Sequence, residues 1–178
     1  MSFSVVSVEV AEQQQANEAP RDYVIRLATT KASAGYQLHP GHVVMGADTI
    51  VVLGDKVLEK PRDKLHAVKM LQVLSGATHE VMTAVCLCRE GESRTLCNTT
   101  QVSFREISVQ EAEHYWQTGE PADKAGGYGI QGYGGIFVER ILGSYSCVVG
   151  LPLFETSQLL AQFGVPIWHI EENNNCYE

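Results

Sequence analysis

The chain has 178 residues, 44% of them hydrophobic, and its 13 basic and 21 acidic side chains give a formal charge of −8. Nucleic-acid binding relies on basic surface, so this charge argues against a nucleic-acid partner. No stretch approaches the roughly 18 apolar residues of a membrane span, and no leader pattern opens the chain, which predicts a cytoplasmic protein. A chain of this length can bury its own core, and we expect one domain over residues 1–170 followed by a frayed tail at 171–178.

The first elements along the chain are a short strand and a helix. Phe3–Val10 has a strand pattern, and Glu12 lies just past its end. Pro20 stands near the start of a helix in which apolar residues recur at helical spacing. Lys31 falls near the C-terminal turn of this helix, where a lysine is ordinarily a solvated cation favoured by the helix dipole. Its position alone therefore indicates no function.

The stretch Val43–Pro61 predicts two apolar strands joined by a tight turn at Gly54-Asp55. Asp48 and Thr49 interrupt this otherwise apolar run. An ionised Asp in a buried strand costs several kcal/mol unless it is paired, hydrogen-bonded or bound to a metal. Asp48 should therefore have a partner, and Lys60, just beyond the second strand, is a candidate.

Two interpretations of Asp48 stay open from the residues alone. In the first, Asp48 lies at a strand bend, Gly46 marks a bulge and Thr49 forms a local hydrogen bond. In the second, Asp48 belongs to a functional site, because a carboxylate set among apolar strand residues is where perturbed pKa values and active sites tend to occur. The residue chemistry favours the second interpretation.

The middle of the chain predicts two capped helices on either side of a hairpin. Asp63 can cap the first helix, and Ser108 opens the second through a capping box. Between them, Val81–Cys88 and Thr95–Phe104 are long strand patterns that predict an antiparallel hairpin. His79 precedes the first of these strands, and a lone His at a strand entrance is more often structural than catalytic.

The five cysteines indicate reduced thiols rather than a metal site or disulfides. Cys86 and Cys88 have strand spacing, so both should face the same side of the sheet. The chain has no Cys-x-x-Cys, and a zinc site would require further Cys or His in paired clusters.

A glycine-rich stretch, Glu120–Gly135, precedes the last elements, and its bulky residues exclude a flexible linker. Glycines let a backbone approach a ligand and present amide N–H groups, so the stretch predicts a shaped binding loop. Ile136–Leu142 is then a strand, and Pro152 begins a last helix. The irregular alternation of helices and strands predicts an α/β fold with a mixed central sheet flanked by helices.

Several of these stretches, in this order, resemble the Maf family of nucleoside triphosphate pyrophosphatases. They are G-A-D-T-I-V-V at 46–52, L-E-K-P at 58–61, M-L-x-x-L-S-G at 70–76, H-E-V-M-T-A-V at 79–85, E-P-A-D-K-A-G-G-Y-G-I-Q-G at 120–132 and V-V-G-L-P at 148–152. The resemblance runs from about Phe3 to Phe163. Agreement of several motifs in order and spacing is far stronger than any one motif.

The resemblance implies two lobes with a cleft between them, as in the inosine triphosphate pyrophosphatases. It also implies hydrolysis of a nucleoside triphosphate to the monophosphate and pyrophosphate with a divalent cation, Mg²⁺ or Mn²⁺. The G-A-D-T and G-I-Q-G motifs resemble those of the branch that acts on dTTP and UTP, including modified pyrimidine nucleotides. Family members are often dimers, so a homodimer is expected.

Carried over position by position, the resemblance implies roles for five residues. Asp48 would be the proton acceptor that activates water and would also meet the metal. Thr49 and Gln131 match positions associated with substrate choice. Lys31 and Lys60 match lysines that line the phosphate cleft.

The chain departs from the family pattern in two places. The family opens with a Ser-x-Ser-Pro-Arg-Arg turn that holds phosphate, and this element is absent here. The family carboxylate after the following strand aligns with Ala11, which leaves Glu12 or Glu9 as the second metal ligand. These departures predict weak or absent turnover by the 178-residue form.

Two explanations of the departures stay open. The chain is either an active pyrophosphatase with a late assigned start, or a catalytically impaired nucleotide-binding or septum-linked regulatory protein. An upstream, in-frame Ser-Pro-Arg-Arg codon run would separate them.

Overall fold

A computed structural model describes residues 2–168. Cys176, the predicted tail at 171–178 and the predicted domain end at 170 lie outside the described residues. The helices are α1 (Pro20–Leu38), α2 (Lys64–Leu74), α3 (Val109–Gln117), α4 (Tyr145–Val149) and α5 (Leu153–Gln162). The strands are β1 (Val44–Leu53), β2 (Lys56–Leu58), β3 (Thr78–Arg89), β4 (Glu92–Phe104) and β5 (Val138–Leu142). Short 3₁₀ turns at Glu120–Asp123, Ala125–Gly127 and Tyr133–Phe137 lie between α3 and β5.

The five strands form one sheet in the order β2-β1-β3-β4-β5. The predicted α/β fold, a sheet flanked by helices, is confirmed. The sheet differs from the mixed sheet that we expected, because all four pairings among the described residues are antiparallel. Strands β2 and β3, which α2 connects, run in the same direction. They do not pair with each other, because β1 lies between them and is antiparallel to both. The two-lobe arrangement stays a prediction.

Both predicted hairpins are present. Leu53 pairs with Lys56 across the Gly54-Asp55 turn, where Gly54 has a φ of 61°. The second hairpin turns at Glu90 and Gly91, which both have positive φ, as in the tight turns that match strand twist.

Buried clusters form on both faces of the sheet, one on the first face and two on the other, because strand side chains alternate between faces. Helix α1 covers one face, where it packs on Ile50, Val52 and Ala84. Cys86 and Cys88 lie in this same cluster, as their spacing predicts. Helices α2, α3 and α5 cover the opposite face. Their buried strand partners there are Val51, Val81, Val85, Leu87, Val102 and Phe104.

Gly46 marks a close helix contact rather than a bulge. The register between β1 and β3 is regular through Gly46. A Cβ at this position would lie 2.4 Å from the Ala32 nitrogen and 2.6 Å from the Ala28 oxygen. The missing side chain therefore lets the backbone of α1 lie directly on β1.

Two predictions for the beginning of the chain were wrong. Phe3–Val10 is not a strand, because no neighbouring strand in the described part of the chain supplies ladder hydrogen bonds, and Phe3 and Val5 are exposed. Lys31 does not lie near the end of its helix. Helix α1 continues to Leu38, since Gly35 is buried and a Cβ there would meet Val44 at 2.9 Å.

The two predicted helix caps are confirmed. The Asp63 side chain accepts from the His66 amide, and Ser108 forms a reciprocal capping box with Glu111. No helix within residues 2–168 combines the length and apolar character needed to cross a bilayer.

Candidate active site

Asp48 and Thr49 lie in the part of β1 that has a strand on one side only. Strand β2 pairs with β1 from Val51 to Leu53, so among residues 2–168 the other edge of 44–50 has no strand beside it. Asp48 faces α1, and Thr49 faces the opposite side of the sheet. Both nevertheless line one cavity of about 270 Å³. This is possible because the cavity lies at the unpaired edge of β1, which side chains from either face can reach.

The partner of Asp48 is Lys31. The Lys31 ammonium nitrogen lies 2.5 Å from Asp48 Oδ1, and the two side chains are only 21% and 11% exposed. Both residues lie at the α1–β1 contact, close to Gly46. A neighbouring cation compensates the cost of burying the Asp48 carboxylate. The sequence suggested Lys60 for this role, and the structure assigns it to Lys31.

Glu12 and Lys60 extend this pair into a chain of four charges. Glu12 Oε1 lies 2.6 Å from the Lys31 ammonium, and Lys60 lies 3.8 Å from Glu12 Oε2. The Tyr23 hydroxyl donates to the Glu12 carbonyl at 2.9 Å, which holds this segment against α1. Four charged side chains from three separate parts of the sequence therefore meet at one place.

The surroundings shift the pKa values of Asp48, Lys31 and Glu12. Burial raises the pKa of the Asp48 carboxyl above its ordinary value, and the Lys31 ammonium offsets only part of this effect. Burial alone would lower the pKa of Lys31, but its hydrogen bonds to Asp48 and Glu12 outweigh burial and raise it. The hydrogen bond from Lys31 lowers the pKa of Glu12. The surroundings therefore bring the pKa of Asp48 up and that of Glu12 down.

Thr49 makes its hydrogen bond on the opposite face of the sheet. Its hydroxyl oxygen lies 2.9 Å from that of Thr83, its cross-strand neighbour on β3. Thr83 is fully buried and donates to the carbonyl of Cys147 on α4 at 2.7 Å. These contacts connect the cavity wall at Thr49 to α4.

The cavity has an apolar part and a charged part. Its apolar lining residues are Ala47, Val51, Val81, Ala125, Tyr128, Val148 and Val149, and its charged lining residues are Asp48, Lys60, Asp123 and Lys124. Gly126 allows the loop to approach β1, because a Cβ there would lie 2.8 Å from a Val51 methyl group. The arrangement suits a ligand with an apolar ring at one end and anionic groups at the other.

Glu120 holds the glycine-rich loop in place. Its carboxylate accepts hydrogen bonds from the Tyr115 hydroxyl at 2.6 Å and from the backbone amides of Tyr133 and Gly134 at 2.8 and 3.0 Å. Gln131 lies within this loop and is exposed. Gln131 is not among the residues that line the cavity, so the structure does not bring it together with Asp48 and Thr49.

Sequence reasoning missed two residues of this region. Lys124 lines the cavity beside Asp123, with which it pairs at 2.7 Å. Thr83 was missed although it carries the same signal as Asp48, a polar side chain within an apolar strand. His79, expected to be structural, is buried and bonds to the Tyr128 hydroxyl at 2.8 Å.

Asp48 and Glu12 are the residues that could hold a divalent cation. Across residues 2–168 no group of three His, Cys, Asp or Glu side chains is arranged for a metal. The two carboxylates converge, however, since each has an oxygen within 2.6 Å of the Lys31 ammonium. Mg²⁺ is commonly bound by one or two carboxylates together with substrate phosphates and water, and this donor set fits such an ion.

A larger groove, of about 800 Å³, lies against β2 and α2 and shares Lys60 with the cavity. It is not lined by Asp48, Thr49 or Lys124. The smaller cavity is therefore the candidate active site.

Comparison with known proteins identifies a family. The family model described as "Maf-like protein" matches residues 1–163. A relative from Saccharophagus degradans, named dTTP/UTP pyrophosphatase, is 56% identical over 172 residues, which cover 94% of this chain and 82% of the relative.

Two further relatives carry the same name. One from Vibrio cholerae is 54% identical over 162 residues, covering 90% of this chain and 87% of the relative. One from Salmonella typhimurium is 53% identical over 163 residues, covering 91% of this chain and 83% of the relative.

Proposed function

Because the chain belongs to the Maf family, we propose that it hydrolyses dTTP and UTP to the nucleoside monophosphate and pyrophosphate. The names of the relatives support these substrates. The observation that carries the proposal is the Asp48–Lys31 pair beside a cavity with an apolar part and a charged part.

Asp48 accepts the proton of the attacking water. A general base works best when its pKa is near the working pH, and burial raises the pKa of Asp48 in that direction. As the water oxygen bonds to the α-phosphorus, the water proton passes to Asp48 and the bond to the bridging oxygen breaks. Pyrophosphate leaves with the bridging oxygen.

Lys31 and Lys60 bind the phosphate groups. A triphosphate carries several negative charges, and positioned cations offset the charge at the attacked phosphorus. Lys31 also keeps Asp48 oriented through its 2.5 Å contact. Asp48 and Glu12 would hold Mg²⁺ or Mn²⁺, which supplies further positive charge for the phosphate oxygens.

Thr49 and Gln131 determine substrate choice in this proposal. Thr49 lines the cavity directly. Gln131 is exposed on the loop that Glu120 holds.

Product identity tests the proposal. The purified chain is incubated with a panel of canonical and modified nucleoside triphosphates, with and without Mg²⁺ or Mn²⁺, and the products are separated by chromatography. We expect weak turnover in which dTTP and UTP give the monophosphate and pyrophosphate in equal amounts. Release of single orthophosphates, or a preference for a purine substrate, would overturn the proposal. Tight binding of dTTP without turnover would favour the alternative of a nucleotide-binding protein.

Three further proposals rest on the sequence: a single domain that ends near residue 170 and a cytoplasmic location, from chain length and composition, and a homodimer, from the resemblance. Light scattering of the purified chain tests the dimer, and fractionation of the source cells tests the location.

A further inference from the structure

The Thr83 hydroxyl has two hydrogen-bond neighbours but only a single proton to share between them. Thr83 Oγ1 donates to the Cys147 carbonyl oxygen at 2.7 Å and lies 2.9 Å from Thr49 Oγ1. A carbonyl oxygen can only accept, and a hydroxyl has a single proton to donate. Both contacts are hydrogen bonds at the same time only when Thr83 donates to Cys147 and Thr49 donates to Thr83.

This assignment determines whether the Thr49 hydroxyl can donate a hydrogen bond to a ligand or only accept one. Thr49 also has one hydroxyl proton, and Thr83 accepts it. Only lone pairs of Thr49 Oγ1 remain for a group in the cavity that Thr49 lines. A threonine without such a neighbour could donate or accept, whereas Thr49 can only accept.

Thr49 lies on the side of the cavity that suits a base. Its face of the sheet carries Val51 and Val81, and Tyr128 and Val148 complete the apolar lining. Lys31 and Asp48 lie on the other face of β1, toward α1. A nucleotide whose phosphates meet the lysines would then have its base against Thr49.

Pyrimidine bases differ in what they present at N3. Uracil and thymine carry an N3–H donor, whereas N3 of neutral cytosine is an acceptor. An acceptor that faces another acceptor leaves both groups without a hydrogen bond, and such unpaired groups in a desolvated site are costly.

We propose that Thr83, acting through Thr49, selects nucleotides whose base has an N3–H, and so rejects cytosine nucleotides. Thr83 is a positioning residue in this proposal, since it does not touch the substrate. The inference rests on the proposed function, because it takes the base to lie in this cavity.

The Thr83→Val variant tests the inference, and Thr83→Ser is the matched control. Valine has nearly the shape of threonine but cannot accept the Thr49 proton, which is then free to turn toward cytosine N3. Serine retains the hydroxyl. We expect the ratio of kcat/KM for UTP to that for CTP to fall by about tenfold or more in Thr83→Val and to stay close to the unsubstituted ratio in Thr83→Ser.

A second variant keeps the test decisive if Thr83→Val folds poorly through loss of the Cys147 hydrogen bond. Thr49→Val removes the acceptor and leaves the bond from Thr83 to Cys147 in place. It should reduce kcat/KM for UTP by about tenfold and change that for CTP much less. Thermal unfolding of each variant establishes that it is folded.

Binding measurements separate this inference from the proposed function. Calorimetry measures the Kd of the α,β-imido analogues of UTP and CTP, which are not hydrolysed, and so gives the base preference of binding alone. If the unsubstituted chain binds the UTP analogue preferentially but hydrolyses neither nucleotide, the proposed function fails and the inference stands. Equal binding of the two analogues, or an unchanged preference in folded Thr83→Val, overturns the inference whatever the hydrolysis assay gives.

Discussion

The ammonium group of Lys31 on α1 lies 2.5 Å from the carboxylate of Asp48 on β1, where the two elements touch at Gly46. The Lys31 ammonium thus offsets the cost of burying the Asp48 carboxylate. The same ammonium could also bind an anionic ligand. Binding of phosphate and acceptance of a proton would therefore depend on the same contact between helix and strand.

Replacing Asp48 with Asn should reduce kcat for dTTP by about 100-fold or more, because the amide cannot accept the water proton. The two side chains have nearly the same size, so the cavity is preserved. Pyrophosphate release under saturating dTTP measures the effect. Asp55→Asn, in the exposed hairpin turn, is the control, and an undiminished Asp48→Asn rate would refute the mechanism.

Replacing Lys31 with Met should move the acid limb of the pH profile to higher pH. Asp48 accepts a proton only when ionised, so kcat/KM falls as the pH drops through its pKa. Burial raises that pKa and Lys31 partly lowers it, and the variant removes the lowering contribution. The profile of kcat/KM for dTTP between pH 4 and 9 checks the direction. Lys56→Met, on the exposed part of β2, should leave the acid limb of the kcat/KM profile at the same pH. A shift of this limb to lower pH in Lys31→Met would contradict the prediction.

Replacing Gly46 with Ala should lower the free energy of unfolding by about 3 kcal/mol, as expected of an overpacked contact. The added Cβ would overlap backbone atoms of Ala28 and Ala32, which cannot move aside as a flexible side chain can. Urea unfolding measures the loss. Gly41→Ala, with no neighbour within 4 Å and a φ of 84°, should cost only about 1 kcal/mol from its left-handed backbone.

Replacing Glu120 with Gln should loosen the glycine-rich loop. The carboxylate accepts from one hydroxyl and two backbone amides, and an amide group has only one oxygen to meet them. We expect a loss of about 2 kcal/mol in unfolding free energy and a higher KM for dTTP, since Tyr128 and Lys124 of this loop line the cavity. Glu113→Gln, which breaks a half-exposed ion pair with Lys64, is the control, and an unchanged KM in Glu120→Gln would argue against a role for the loop in binding.

Acidification should destabilise the fold through His79. Burial lowers the pKa of His79 to about 4 from an ordinary value of 6.5. Between these pH values the unfolded chain binds the proton that the folded chain excludes, so stability falls as the pH drops from 6.5 toward 4. The contribution amounts to about 3 kcal/mol over this window.

The pH dependence of urea unfolding checks this prediction. His79→Phe should be less stable at neutral pH, because Tyr128 loses its partner, but should show a smaller decline on acidification. His114→Gln, at an exposed helix position, should retain the full decline. An equal decline in His79→Phe and the parent chain would show that another group is responsible.

Local chemistry made several elements predictable. The Gly54-Asp55 turn, the Asp63 cap and the Ser108 capping box each depend on residues within a few positions of one another. Cys86 and Cys88 share a face because strand geometry requires it. The same reasoning failed for Phe3–Val10, since a strand pattern becomes a strand only when another strand supplies its hydrogen bonds.

The candidate site was predictable in part. Asp48 was identified as a carboxylate among apolar strand residues, Lys60 by its position just beyond the second strand, and Lys31 only by the resemblance. Thr83 was overlooked, because its importance depends on the carbonyl of Cys147, which is 64 residues away along the chain. Gln131 was expected to bear on substrate choice, which stays a prediction, and the structure shows it exposed on its loop.

The sequence by itself determined that a buried Asp48 needs a partner, because the cost of burying a charge does not depend on the fold. Only the tertiary structure decided that Lys31 is that partner and that the Thr49 hydroxyl meets the hydroxyl of Thr83. Such contacts join residues that are distant in sequence, and their geometry exists only once α1, β3 and α4 have packed against β1.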